Sequence, residues 1–277
     1  MDYSFFSYKY NISEFQSALY SPEHIAYIVL AFVSVILLGI FLRKTDHKKF
    51  RIFLLVVAIV LAVLEIVKIS WESYWDITTG RGFNVEILPL YSCSLFTYTA
   101  FFAVFGKGKV REIALAWIGT IGLVCGMIGV IYTNTLNFYP FWTFGAFHSL
   151  IYHYTMFLVG VLVLTTRFKK LEWKDIIYSW IPILILSIIV SPINYYYGAD
   201  YMQIYSAGGV PVMSTLADVL DGYHLRPIFT MIMILAYIPI SAAVVGVVKL
   251  VMLIYNKTNK KDKSIKLNLA QSEEKTS

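Results

Sequence analysis

Residues 52–71 read IFLLVVAIVLAVLEIVKISW, an apolar stretch of 20 residues that directly follows the basic cluster Lys48-Lys49-Phe50-Arg51. A helix of this length is about 30 Å long, which matches the hydrocarbon core of a bilayer. The rest of the chain has the same character, with 58% hydrophobic and only 14% charged residues among 277. Soluble proteins carry about a quarter charged residues. The sequence therefore predicts an all-α, polytopic membrane protein.

Seven stretches have the length and apolarity of a transmembrane helix. The predicted spans are His24–Leu42, Ile52–Trp71, Ile87–Phe105, Ile113–Tyr132, Thr143–Thr166, Ile176–Ile193 and Ile228–Tyr255. No cleavable signal segment is evident before the first span. The predicted organisation is an external N-terminal segment at 1–23, a membrane domain at 24–255, and a basic cytoplasmic tail at 256–277. The tail is polar and lacks apolar periodicity, so we expect it to be disordered.

Basic residues are distributed unevenly between the two sides of these spans. Nineteen of the 23 Lys and Arg residues lie in alternate connections, namely 43–51, 106–112 and 167–175, and in the C-terminal part from Lys249 onwards. The opposite connections carry only Lys9, Arg81 and Arg226. Because cytoplasmic loops are enriched in Lys and Arg, the N-terminus is predicted outside and the C-terminus inside. The net charge of +6 is then an orientation signal, and no nucleic-acid partner is expected.

Charged side chains inside a span are costly, so they mark candidate sites. Glu65, Lys68 and Glu72 lie at i, i+3 and i+7 on one face of the second span. One interpretation is a self-neutralising group that only allows the helix to insert. The other is the polar wall of an internal cavity. The residues alone leave both open.

The third predicted span places a cysteine among polar neighbours. Pro89 would occupy the first helical turn, where its missing N–H costs nothing. Cys93 would lie one turn deeper, between Ser92 and Ser94. The second cysteine, Cys125, lies among glycines that predict a close helix contact, so it is interpreted as a packing residue.

Two histidines occur on the fifth predicted span. His148 and His153 are five residues apart, which separates them by about 140° around a helix. They can hardly share one metal ion, and a zinc site is disfavoured. Glu65, Cys93 and His153 each lie 14 residues from the basic end of their spans, about 21 Å deep. His148 would be about 7 Å nearer the outer surface, so His153 is the better partner for Cys93.

Several short motifs suggest a family. They are Ser21-Pro22-Glu23-His24, Leu88-Pro89-Leu90 followed by Cys93, the stretch from Phe147 to His153, Asn194-Tyr195, and Asp200-Tyr201-Met202. They resemble the YwaF-like integral membrane proteins of low-GC Gram-positive bacteria, which are distantly similar to eukaryotic transmembrane protein 164, a phospholipid acyltransferase. The resemblance covers about Ser21 to Tyr255. Asp200 stands where related bacterial chains are expected to carry Asn.

The resemblance implies a plasma-membrane enzyme that transfers or hydrolyses acyl chains of glycerophospholipids. Cys93 would be the nucleophile and His153 the base. Glu65 could orient the imidazole, and Ser92, Ser94, Asn194 or Lys68 could stabilise the oxyanion. His148 is a further supporting residue, and Glu72, Tyr152 and Tyr201 are expected to line the lipid cavity. No cofactor is required, and membrane phospholipids are the expected partners.

Two other classes of function remain open. A secondary transporter of a small solute would use Glu65, Lys68 and Glu72 as a coupling site. The sequence shows neither inverted repeats nor two matching broken spans, which are common in transporters. A non-catalytic lipid-binding or assembly protein would need only the cavity.

Overall fold

A computed structural model describes residues 4–11, 17–166, 168–207 and 211–274, with the side chains of 11, 211 and 259–274 left undescribed. The basic residues Arg167 and Lys275 therefore lie outside the described residues. The described chain is all-α and contains no strand. Its helices are α1 Pro22–Phe41, α2 His47–Thr78, α3 Leu95–Phe105, α4 Gly108–Trp117, α5 Leu123–Ile131, α6 Phe144–Thr165, α7 Asp175–Tyr197, α8 Pro211–Gly222, α9 Arg226–Leu235 and α10 Tyr237–Glu274.

Six helical runs in the described residues are long and apolar enough to cross a membrane. They are Pro22–Lys44, His47–Thr78, Gly108–Asn137, Phe144–Thr165, Asp175–Tyr197 and Arg226–Thr258. In the third of these runs a π-helical turn, Ile118–Gly122, joins α4 to α5. The protein is therefore a polytopic helical membrane protein. The remaining predicted span, Ile87–Phe105, corresponds to α3, which has only 11 residues.

The third predicted span is helical only in its second half, which corrects the helix expected from Ile87. Leu88 is extended (φ −68°, ψ 148°), as the steric demand of a following proline favours. Pro89 therefore lies before the helix rather than in its first turn, and Cys93 precedes Leu95, the first residue of α3. Tyr98 donates a hydrogen bond to the Pro89 carbonyl at 3.0 Å. This hydrogen bond gives the Pro89 carbonyl a partner in a segment that has no helical hydrogen bonds of its own.

Local capping explains where the first two helices begin. The Ser21 hydroxyl accepts from the His24 N–H at 3.3 Å, and Pro22 occupies the first helical position. The Asp46 carboxylate accepts from the Lys48 N–H at 3.0 Å. Side chains that accept from these otherwise unpaired N–H groups favour helix initiation.

The centre of the bundle is formed by α4–α5 and α6. In the apolar 18-residue stretch of each run, 67% of the residues of α4–α5 and 56% of those of α6 are buried, whereas 28% or less are buried in the other four runs. Glycines allow α5 and α6 to approach closely, as the sequence predicted. A Cβ on Gly126 would lie 2.4 Å from the Phe157 backbone nitrogen, and one on Gly129 would lie 2.0 Å from the His153 ring. These two positions cannot accommodate a larger residue without a shift of α6.

Three basic connections lie at one end of this bundle. Arg51 donates to the Val104 carbonyl, and Lys174 forms an ion pair with Glu112 at 3.4 Å. The Phe168 ring packs 4.7 Å from the Phe50 ring. We call this the basic end. Residues 4–11 lie at the opposite end, where the Phe144 N–H donates to the Phe5 carbonyl at 2.7 Å.

The backbone of α10 continues to Glu274. The expected domain boundaries, including a disordered tail from residue 256, stay predictions. Residues 275–277 of that tail lie outside the described residues. The long connection predicted from Asn194 to Arg226 is partly helical, because α7 continues to Tyr197 and α8 lies within it. α7 ends where Gly198 adopts a left-handed conformation (φ +66°), which glycine reaches without strain.

Candidate functional site

Glu65, Lys68 and His148 form a charged group in the interior, which we call the Glu65 triad. The Lys68 ammonium lies 2.8 Å from Glu65 Oε1, and His148 Nε2 lies 3.1 Å from Glu65 Oε2. Only 12% of the Glu65 side chain and 8% of the His148 side chain are exposed. His148 Nε2 is within ion-pair distance of this oxygen, but the direction of the ring does not meet hydrogen-bond geometry, so the contact is electrostatic. Lys68 and His148 thus lie beside different oxygens of the same carboxylate.

Glu65 thus meets His148 and not His153, the imidazole that it was expected to orient. The depth count placed Glu65 and His153 on one level and His148 about one turn higher. That count assumes that the helices start at the same height and run parallel, and the contact between Glu65 and His148 shows that this assumption does not hold for α2 and α6.

His153 occupies a separate environment between α5 and α6. Its Nδ1 lies 2.8 Å from the Ser149 carbonyl oxygen, which can only accept, so Nδ1 carries the hydrogen. The lone pair is then on Nε2. The ring packs against Gly129, and the two histidines interact electrostatically. His153 is therefore held in the tautomer that leaves Nε2 able to accept a proton.

Cys93 is partly buried in the non-helical segment before α3. The charges of Lys68 and Glu65 act on this thiol, and Ser94 and Cys125 of α5 lie near it. The Lys68 ammonium favours a thiolate, whereas burial and the Glu65 carboxylate favour the neutral thiol. A base is therefore needed to remove the thiol proton.

Tyr152 links the Glu65 triad to α3. Its ring centroid lies 5.8 Å from that of His148, and its hydroxyl lies 2.7 Å from the Thr97 hydroxyl. Thr97 lies four residues after Cys93, and Cys93 interacts electrostatically with Tyr152. Sequence reasoning placed Tyr152 in the cavity wall but missed Thr97. The buried Tyr152–Thr97 bond holds α6 against α3 beside the thiol.

Ser92, the other serine beside Cys93, pairs with a residue that sequence reasoning missed. Its side chain lies close to the Tyr237 side chain at the start of α10 and interacts with it. Tyr237 also interacts electrostatically with Cys93 and Cys125. A tyrosine in an apolar span was the available signal, because a buried phenol needs a partner. Helix α10 is thereby connected to the segment that carries Cys93.

Asn194 and Tyr201 organise the outer connection. The Asn194 side chain accepts from the Tyr201 N–H at 3.0 Å and donates to the Tyr201 carbonyl at 3.1 Å. The Tyr201 hydroxyl donates to the Val85 carbonyl, so this connection is tied to the segment before Cys93. Burial and the nearby Glu86 carboxylate raise the pKa of Tyr201 to about 12. The phenol therefore keeps its proton, and the bond, at neutral pH.

Asp200, where relatives are expected to carry Asn, has a structural role in the same connection. Its carboxylate accepts from the Tyr205 and Ser206 N–H groups, each at 2.9 Å, and from the Ser206 hydroxyl at 2.8 Å. Its own N–H donates to Glu86 Oε1 at 3.1 Å. Three donors converge on one side chain, which suits a carboxylate better than an amide.

A row of polar residues continues along α2 from the triad towards the end opposite the basic one. Glu72 follows Lys68, and Asp76 follows Glu72 on the same face. Asp76 is 2% exposed and accepts from the Tyr8 hydroxyl at 2.8 Å. Sequence reasoning stopped at Glu72, although Asp76 continues the same spacing. The N-terminal segment thus covers the end of this row.

His24, a further buried polar residue that the sequence pattern did not single out, connects α1 to α5. It is 0% exposed. Its Nδ1 accepts from the Tyr20 N–H at 3.0 Å, so the hydrogen is on Nε2, which donates to the Val130 carbonyl at 3.2 Å. Both ring nitrogens are used, which indicates a structural role. Among the described residues, no three His, Cys, Asp or Glu side chains come together in a group that could hold a metal ion.

A family model described as the TMEM164 family matches residues 19–245, which is most of the chain. The chain belongs to the TMEM164 family. The match includes α1 to α9, and with them every residue of the Glu65 triad, both histidines of α6 and Cys93. The YwaF-like bacterial subfamily stays a prediction. No curated protein and no solved structure matches the chain.

Proposed function

We propose that this member of the TMEM164 family is a membrane-embedded lipid acyltransferase or acyl hydrolase that uses Cys93 as its nucleophile. The observation that carries the proposal is the surroundings of the thiol. The Cys93 sulfur lies in the field of the buried Lys68–Glu65 pair, whose ammonium favours the charged form of the thiol. The thiol lies in a non-helical segment, where a sulfur is not covered by its own helix. The implied substrates are membrane glycerophospholipids.

The proposed reaction proceeds through a thioester. The thiol proton moves to His153 Nε2, and the thiolate sulfur forms a bond to the ester carbonyl carbon. The ester C–O bond then breaks, and the leaving alkoxide takes the proton from the imidazolium. In the second half, an acceptor hydroxyl or water attacks the thioester, loses its proton to the imidazole, and the released thiolate is protonated again. Ser94 and Lys68 are the groups proposed to stabilise the oxyanion.

The assignment of the base rests on the tautomers of the two histidines. His153 has its Nδ1 hydrogen on the Ser149 carbonyl, which leaves Nε2 to accept a proton. His148 is paired through Nε2 with Glu65. We therefore propose His153 as the base. His148, together with Glu65, would hold Tyr152 and the charge of Lys68 in place.

A thioester adduct tests this proposal. Purified protein incubated with phospholipid labelled in its acyl chain is expected to carry label that hydroxylamine releases. Cys93→Ala should abolish the adduct. His153→Ala should slow its formation by about 10²–10⁴-fold, the usual contribution of a general base. His148→Ala is expected to cost less.

Cys125 supplies the matched control. It is also a partly buried thiol, it interacts with Cys93, and it lies one turn before Gly129, against which His153 packs. Cys125→Ala should leave the adduct intact. An adduct that survives Cys93→Ala and disappears in Cys125→Ala would assign the nucleophile to Cys125. Unchanged lipid turnover in folded Cys93→Ala protein would refute the enzymatic proposal.

A secondary transporter is a second candidate, because one specific observation favours it. The row of Glu65, Lys68, Glu72 and Asp76 runs from the interior to the end covered by Tyr8, and such intramembrane charges mark ion or solute paths. Proteoliposomes would show a proton or solute flux that Glu72→Gln reduces. A non-catalytic lipid-binding protein would show neither flux nor adduct.

We also propose seven spans in a bacterial plasma membrane, with the N-terminus outside and the C-terminus inside. α3 would be completed as a span by the segment 85–94. The basic connections 43–51 and 106–112 lie at one end of the bundle, and Lys174 lies beside them, which supports this orientation. Cysteine-accessibility labelling in intact cells should label position 9 and leave position 48 unlabelled. The reverse pattern would contradict the orientation.

A further inference from the structure

A cleft at the basic end has no role in the proposed acyl transfer. It has a volume of about 420 Å³, within the range of small-ligand pockets. Helix α4 forms one wall, and residues 168–174 between α6 and α7 form the other. Its lining residues are Gly108, Arg111, Glu112, Leu115, Phe168, Lys169, Lys170, Glu172 and Lys174.

The wall between α6 and α7 is held in a fixed shape. Asp175 is fully buried and accepts from the Glu172 N–H at 2.7 Å. The same carboxylate forms an ion pair with Lys169 at 2.9 Å. Leu171 is 1% exposed and anchors the connection in the core. The cleft is therefore formed without a ligand.

Two cations of the cleft have no charged partner among the described residues. Arg111 lies over the Phe168 ring, with 5.0 Å between the guanidinium carbon and the ring centroid. The side chains of Arg111 and Lys170 make no hydrogen bond or ion pair with any other described residue. A guanidinium stacked on an aromatic ring keeps its N–H edge free, which suits bidentate binding of a phosphate group.

The acidic residues of the cleft are already engaged. Lys174 lies 3.1 Å from Glu172 and 3.4 Å from Glu112, so one lysine serves both carboxylates. The hydrogen bond from Lys174 lowers the pKa of Glu172, so this carboxylate stays charged at neutral pH. The first turn of α4 adds unpaired N–H groups beside Gly108, because no side chain caps that helix.

We propose that this cleft binds a phosphate group, with Arg111 as the bidentate donor and Lys170 as the second cation. The chemistry fits the headgroup of an anionic phospholipid or a free phosphate ester. The position at the ends of the membrane helices favours the lipid, because the phosphates of a bilayer lie at that level.

Thermal unfolding of the purified full-length protein in detergent tests the proposal. Short-chain phosphatidylglycerol should raise the melting temperature with saturation, and phosphatidylcholine of equal chain length should raise it less. The half-saturating concentration should increase about fivefold in each of Arg111→Gln and Lys170→Gln. Both effects should weaken as salt is added.

Two further variants keep the test specific. Lys109 is exposed and is the second residue of α4, but it does not line the cleft. Lys109→Gln should leave the half-saturating concentration within about twofold, since its charge is screened by water. Glu172→Gln removes a negative charge from the cleft and should tighten binding. Tighter binding cannot result from a damaged fold.

The source of the phosphate is separated by competition. If inorganic phosphate displaces phosphatidylglycerol, the phosphate group itself is recognised. If it does not, the cleft requires the lipid, and either outcome supports the proposal. Equal effects of the two lipids, or equal losses in Lys109→Gln and Arg111→Gln, would overturn it.

Discussion

The Glu65 triad allows a quantitative test of the buried charges. In Glu65→Gln the Lys68 ammonium, only 21% exposed as a side chain, loses the partner that lies 2.8 Å away. Leaving one member of a buried ion pair unpaired costs about 3–5 kcal/mol. Because Lys68 is not fully buried, we expect the lower end, about 3 kcal/mol of the free energy of unfolding. The double variant Glu65→Gln/Lys68→Met leaves no unpaired cation and should lose less than the single variant.

Reversible denaturation of the purified protein in mixed micelles would measure these free energies. Lys174→Gln is the matched control, because Lys174 also forms ion pairs but is 48% exposed, and water screens such pairs so that they contribute little to stability. The reasoning fails if Glu65→Gln is no more destabilising than Lys174→Gln. It also fails if the double variant is less stable than Glu65→Gln, because the cost would then not come from an unpaired charge.

Three other predictions concern packing, the outer connection and pH. Gly129→Ala should lower the free energy of unfolding by about 1–3 kcal/mol, because the added Cβ would overlap the His153 imidazole. Gly246→Ala is the control and should be neutral or stabilising, because the space at its Cβ is open. Thermal unfolding compares the two variants. Asn194→Ala removes two buried hydrogen bonds and should lower the free energy of unfolding by about 1–3 kcal/mol. If the effect is local, amide exchange should become faster at residues 199–204 and stay unchanged in α6. The hydrogen bond from Arg226 lowers the pKa of the Asp221 carboxyl in the folded protein. The contact therefore contributes its full stabilisation above the ordinary pKa of about 3.8, and this stabilisation is lost as the pH falls through the lower folded pKa. Amide hydrogen exchange at residues 221–226 should become faster over that pH range in the native protein and should not change in Asp221→Asn.

Hydropathy and spacing along the chain were sufficient for the class of protein and for most helix positions. Residues 144–165 form α6 within a residue of the predicted span at each end. The glycines that predict a close contact are found where α5 meets α6, at Gly126 and Gly129. These features depend on the length and side-chain pattern of a single segment, and a bilayer imposes a fixed length on each segment.

The conformation of the segment before α3 was misread for a local reason. Its apolarity predicts a span with Pro89 in the first helical turn, whereas Pro89 lies before the helix. The steric preference of Leu88 for an extended conformation was the overlooked signal. As a consequence, the sequence predicts Cys93 inside a helix, whereas the structure places it in the turn before Leu95, the first residue of α3.

The partners of the polar side chains follow from the packing of the helices and not from any one segment. The apolar segments that carry Glu65, Lys68 and two histidines are sufficient to place these residues in the membrane domain. The same segments do not specify that Glu65 meets His148 while His153 packs on Gly129. The height and rotation of one helix against another are set by packing between distant segments, and a shift of about 7 Å with a rotation of about 140° exchanges one histidine for the other.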